Sequence, residues 1–115
     1  MSNFKISDFD CKCGCGLNNI DIDILTMIQR ARTIAGIPFI INSGCRCKEH
    51  NKNEGGKKDS SHLIGKAIDV KCSDSYDRKV ILSALIEVGF KRIGIAKTFI
   101  HMDRDFSKIS SIWLY

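Results

Sequence analysis

The sequence predicts an α+β fold, with helices packed on one side of a small, largely antiparallel sheet. Three observations lead there. Two segments, 21–35 and 75–88, carry apolar residues at helical spacing. Short runs at 39–42, 66–72, 92–96 and 99–103 are apolar or alternate as strands do. The 115 residues contain no repeat and no linker, so one domain spanning 1–115 with a single core is expected.

Residues 1–20 read as irregular, with room for one short strand around Phe9 to Cys15. From Asp21 to Ala35 the positions Ile24, Leu25, Ile28, Ala31, Arg32 and Ala35 share a helical face. Asp21 and Asp23 favour its first turn, and Gly36 ends it. Pro38 leads into the apolar strand Phe39-Ile40-Ile41-Asn42. Residues 43–60, SGCRCKEHNKNEGGKKDS, form a long polar stretch with few core candidates and read as a functional loop. Lys66 to Cys72 reads as a strand, and Ser73 or Asp74 caps the second helix, whose buried side draws on Val80, Ile81, Leu82, Leu85, Ile86 and Val88. After Gly89, two strands at 92–96 and 99–103 meet in a tight turn near Lys97. Ile109, Ile112, Trp113 and Leu114 in the tail read as cover for the core.

Composition excludes several classes. No apolar run approaches the ~20 residues that cross a bilayer. The start, MSNFKISDFDCKCGCG, puts acids and cysteines where a signal peptide needs an apolar core. Cytoplasmic accumulation before any release is therefore expected. The net charge of +5 suits polyanions, bacterial cell wall among them, but the basic residues are scattered and no aromatic-interleaved run marks a nucleic-acid groove. A monomer is expected.

The six cysteines are Cys11, Cys13, Cys15, Cys45, Cys47 and Cys72. They read first as reduced, buried or half-buried thiols. An accessory metal site, or disulfides formed after translocation, comes second. No Cys-x-x-Cys pair of zinc-finger spacing is present, which weighs against a structural zinc.

Strand parity aims the side chains. In the strand from Lys66, Ala67, Asp69 and Lys71 share one face, while Ile68, Val70 and Cys72 take the other, core-facing one. In the strand from Phe99, His101 and Asp103 share a face opposite Ile100 and Met102. His62 precedes the first of these strands by a loop. Two histidines and an aspartate suit a catalytic zinc with one open position. Taken alone, a loop histidine, a strand-end aspartate and a histidine–aspartate strand pair are more often ordinary structural features.

Ser60-Ser61-His62-Leu63-Ile64-Gly65-Lys66-Ala67-Ile68-Asp69 resembles the SxHxxGxAxD motif of the zinc D-Ala-D-Ala carboxypeptidase family, which groups with vancomycin-resistance dipeptidases, phage L-alanyl-D-glutamate endolysins and the hedgehog signalling domain. Ser43-Gly44-Cys45-Arg46 resembles its SGxR element, and Phe99-Ile100-His101-Met102-Asp103 its aromatic-x-His-x-Asp element. The resemblance implies a zinc metallopeptidase acting on peptidoglycan stem or cross-link peptides at a bond involving a D-amino acid, endolysin-like and of phage or prophage origin. It implies His62, Asp69 and His101 as ligands of one Zn2+. It makes Arg46 the cation for a substrate carboxylate or an oxyanion, and Ser60 a supporting or substrate hydrogen-bonding group. Gly65 and Ala67 would keep bulk away from the metal. Dipeptidase and endolysin members carry a carboxylate three residues before the last histidine ligand, where this chain has Thr98. Asp103 is the replacement expected as general base, with orientation of His101 as its alternative role. His50 reads as structural. Two other classes compete: a non-catalytic zinc-containing wall-binding module on the same scaffold, and a thiol–metal or redox module built on the cysteines.

Overall fold

The computed structural model describes residues 4–115. Its order is a 3-10 turn Ile6–Phe9, α1 (Ile22–Ala35), β1 (Ile41–Ser43), α2 (Lys48–Asn53), a 3-10 turn Ser61–Ile64, β2 (Ala67–Lys71), α3 (Ser75–Val88), β3 (Arg92–Ile95), β4 (Phe99–Asp103) and β5 (Ser111–Leu114). The fold is α+β, as the sequence predicts.

Both long helices start and stop where local chemistry dictates. Asp21 caps α1 by accepting from the Ile24 amide, and Asp74 caps α3 by accepting from Asp77. Gly36 and Gly89 close them in the left-handed region. From α1, Ile24, Leu25, Ile28 and Ala31 meet Ile81, Ala84, Leu85 and Val88 of α3, and both pack on Ile68, Val70, Ile93, Ile100 and Met102 of the sheet. Ile86, expected inside, is 52% exposed.

The sheet runs β1-β2-β4-β3-β5. All pairings are antiparallel except β3 with β5, which is parallel. Because side chains alternate, one sheet face carries the core and the other is left for a site. On that free face, one row crosses all five strands: Ser43, Asp69, His101, Gly94 and Trp113. The next row sets Ala67, Asp103, Arg92 and Ser111 side by side.

Four expectations are corrected. Residues 9–15 form no strand; the chain makes the 3-10 turn and then tight turns through Gly14 and Gly16, both at positive φ. The stretch 43–60 is not all loop. It holds α2, a six-residue helix whose one buried side chain is the polar Asn51. The first strand lies at Ile41–Ser43, slightly later than expected. The tail forms an edge strand rather than core cover, with Ile109, Ile112 and Leu114 exposed.

Candidate metal centre

Asp69 and His101 are direct neighbours across the β2–β4 pairing. His62 reaches the same point from the 3-10 turn Ser61–Ile64, so two strands and one turn converge on it. His101 Nδ1 lies 2.9 Å from Asp69 Oδ1, and His62 Nε2 lies 3.3 Å from Asp69 Oδ2. All three residues are buried, and their ligand atoms fall within 4.8 Å of one another.

The outward nitrogens show what the inward ones can do. His62 Nδ1 sits 2.7 Å from the Gly44 carbonyl oxygen, an obligate acceptor, so this nitrogen carries the hydrogen. His101 Nε2 sits 2.8 Å from Asp103 Oδ2 and its Nδ1 2.9 Å from Asp69 Oδ1, so this ring has a carboxylate acceptor on each side. A neutral His62 therefore turns its Nε2 lone pair toward the Asp69 carboxylate, and a neutral His101 with its hydrogen on Nε2 does the same with Nδ1. Two lone pairs against an anion repel unless positive charge lies between them, either a proton on a ring or a cation. Tetrahedral zinc with bonds of about 2.0–2.2 Å needs donor separations of roughly 3.3–3.6 Å. The 3.3 Å separation of His62 and Asp69 falls in that range. The 2.9 Å of His101 and Asp69 is shorter and would open as the ion enters, and the donor set fits zinc.

Electrostatics run the same way. Burial alone would raise the Asp69 carboxyl, but hydrogen bonds and positive charge from His101 and His62 hold it well below the usual carboxylate range. Burial alone would lower His101, yet Asp103 and Asp69 raise it above its ordinary value. A site that draws a proton onto an imidazole in this way is one that welcomes a cation.

Arg46 reaches the centre from the residue before the α2 cap. Its Nε donates to Ser43 Oγ at 3.0 Å, one terminal nitrogen to Asn51 Oδ1 at 3.2 Å, and the other to Asp69 Oδ2 at 3.3 Å. Ser60 lines the cleft, and its hydroxyl oxygen accepts from the His62 amide, capping the turn that carries His62. Asp103 also lines the cleft, with one carboxylate oxygen held against His101. Its Oδ1 accepts from Arg92 Nε at 2.9 Å and from the Asp105 amide at 3.1 Å, and its side chain is 1% exposed. Thr98 is exposed and does not line the cleft. His50 lies in α2 and pairs with Glu54 at 3.6 Å.

Gly65 also differs from its implied role. It sits at φ +69°, and a Cβ there would lie 1.9 Å from the Asn19 carbonyl oxygen, so it makes room for the passing backbone and not for the metal. Gly44 does likewise for the backbone of Phe9.

The centre opens into a cleft of about 530 Å³. Arg46, Glu54, Lys57 and Asp59 line it, with the aromatic side chains of Phe99, Trp113 and Tyr115. The Trp113 ring packs 5.5 Å from His101, and a side chain at Gly94 would collide with it. Arg92 lies 4.7 Å over the Trp113 ring. Sequence reading missed Asn51, Arg92 and Trp113. The only available signal was that Arg92 and Trp113 fall on the site face once β3 and β5 are placed.

The family model for peptidase M15 matches residues 2–103. The chain belongs to the peptidase M15 family. Peptidase M15 is the zinc D-Ala-D-Ala carboxypeptidase family, and membership supports a zinc metallopeptidase. No curated protein matches the chain. The stretch 104–115, which brings Trp113 and Tyr115 to the cleft, lies beyond the M15 match.

Proposed function

We propose that this M15 chain is a zinc peptidase that cleaves a peptidoglycan stem or cross-link peptide at a bond involving a D-amino acid. The supporting observation is the pair of histidines, each with its outward nitrogen tied to an acceptor and its inward nitrogen set against Asp69. His62, Asp69 and His101 would hold the ion. Bound there, zinc would polarise the scissile carbonyl and bring the pKa of a coordinated water to about 7.

The chain's own groups supply the rest. Arg46, held by Ser43 and Asn51, presents a permanent cation at the cleft for a substrate carboxylate or for the oxyanion. Ser60 shapes the turn that delivers His62. The aromatic side of the cleft suits apolar parts of a peptide, and the net charge of +5 suits an anionic wall. An endolysin-like role, encoded by a phage or prophage, accords with these features.

Asp103 acts on His101 in this proposal and does not take the proton itself, since its two oxygens are engaged by Arg92 and His101 and its side chain is 1% exposed. The proton passes instead to a carboxylate on the rim, either Glu54 or Asp59. For Asp103→Asn, zinc affinity is expected to fall by about 10–100-fold, with most turnover restored at saturating zinc. A fully zinc-loaded variant without turnover would return the base role to Asp103.

Mass analysis of muropeptides after digestion of purified peptidoglycan tests the activity itself. The expected products are peptides cut beside a D-residue. Zinc uptake without any cleavage would leave a wall-binding module on this scaffold.

A further inference from the structure

Outside the lining of the cleft, a second cluster of metal-binding side chains gathers from two distant segments. Cys11, Cys13 and Cys15 come from the turns after the first 3-10 turn, and Cys47 is the cap of α2. Their sulfurs all lie within 4.8 Å of one another. Cys11 Sγ is 3.4 Å from Cys13 Sγ, and Cys13 Sγ is 3.7 Å from Cys47 Sγ. Four thiolates around zinc at about 2.3 Å have sulfur–sulfur edges of roughly 3.8 Å.

We propose that Cys11, Cys13, Cys15 and Cys47 bind a second ion, a thiophilic divalent cation such as zinc, in a closed structural site. Four thiolates leave no open position for water or substrate, which separates this site in kind from the His62–Asp69–His101 centre. Backbone geometry supports it. Gly14 and Gly16, which follow Cys13 and Cys15, take positive φ, which lets so short a stretch turn successive sulfurs inward. The Cys47 amide donates to Cys11 Sγ at 3.4 Å and the His50 amide to Cys47 Sγ at 3.3 Å. Such donors stabilise thiolate charge. Lys12 and Lys48 flank the ligands in sequence and would supply positive charge near the roughly −2 of four thiolates and one dication.

Disulfide pairing serves the same four residues poorly. Any complete pairing must join two of Cys11, Cys13 and Cys15, residues two or four apart, whereas one ion takes all four at once. Cys45 and Cys72 are buried elsewhere and stand outside the cluster.

The site would tie the N-terminal segment to the start of α2, next to Arg46. The Arg46 amide donates to the His62 carbonyl and the Cys45 amide to that of Phe9, so the same strap supports the catalytic side. Its existence does not depend on the proposed substrate or on hydrolysis.

Cobalt substitution in the full chain tests the inference. Metal-free His62→Ala protein, kept reduced, should bind one Co2+ with thiolate-to-cobalt charge-transfer absorption and tetrahedral visible bands. Zinc should displace that ion, and a thiol-directed mercurial should release it. Adding Cys13→Ser and Cys47→Ser should abolish the absorption. Because the serine variants can misfold, unsubstituted protein is measured alongside: it should hold two zinc ions per chain, one of them released by the mercurial. A folded His62→Ala protein without thiolate–cobalt absorption would overturn the proposal. So would unsubstituted protein that holds a single zinc with Cys13, Cys15 and Cys47 freely reactive.

Discussion

His62→Ala should lose one equivalent of zinc relative to the parent protein and cut peptidoglycan hydrolysis by about three orders of magnitude or more, the scale of losing preorganised stabilisation of a transition state. The fold should survive, because His62 sits on a turn over the free sheet face while the core lies on the other face, between the sheet and α1 and α3. Circular dichroism checks the fold, and metal analysis with muropeptide assays checks the site. Asp69→Asn should behave alike, since an amide keeps the size of the group but loses the charge that faces His62, His101 and Arg46. Hydrolysis at the parent rate by either variant would remove the ion from the account.

Gly65→Ala should be the most destabilising small substitution in the site region. Gly65 joins the His62 turn to β2 and receives the Asp21 amide on its carbonyl, which fastens the start of α1 to the site. Its left-handed backbone alone would cost alanine about 1–2 kcal/mol. The added methyl would also overlap the Asn19 carbonyl, which is main chain and cannot step aside cheaply. A loss above about 3 kcal/mol is expected, a large share of the ~5–15 kcal/mol of a typical domain. Gly36→Ala is the control. It shares the left-handed backbone but has nothing within 4 Å of the new atom, so about 1 kcal/mol is expected. Urea unfolding of both variants measures the difference, and equal losses would show that crowding at Asn19 is unimportant.

What the sequence revealed follows from where its patterns are physical. Ile24, Leu25, Ile28 and Ala31 repeat at helical spacing because one side of α1 must enter the core, and α3 is readable for the same reason. Strand parity placed Asp69, His101 and Asp103 on one face, and the structure has them there. Parity says nothing of depth along a row, so it could not show that the Asp103 carboxylate is spent on His101 and Arg92. The short helix α2 left no trace, since it buries Asn51 and presents no apolar stripe. Apolar residues in the tail looked like core, yet β5 pairs at the sheet edge, beyond the main cluster formed with the helices, and turns Ser111 and Trp113 toward the site. Cys47 lies 32 residues from Cys15, so spacing alone hid their meeting.

X-ray diffraction from zinc-loaded crystals at the zinc absorption edge tests the central claim most directly. The account predicts an anomalous peak about 2.0–2.2 Å from His62 Nε2, a carboxylate oxygen of Asp69 and His101 Nδ1, with Gly44 and Asp103 still holding the outward nitrogens. A map with no peak between those three atoms, or one in which His62 binds through Nδ1, would contradict it.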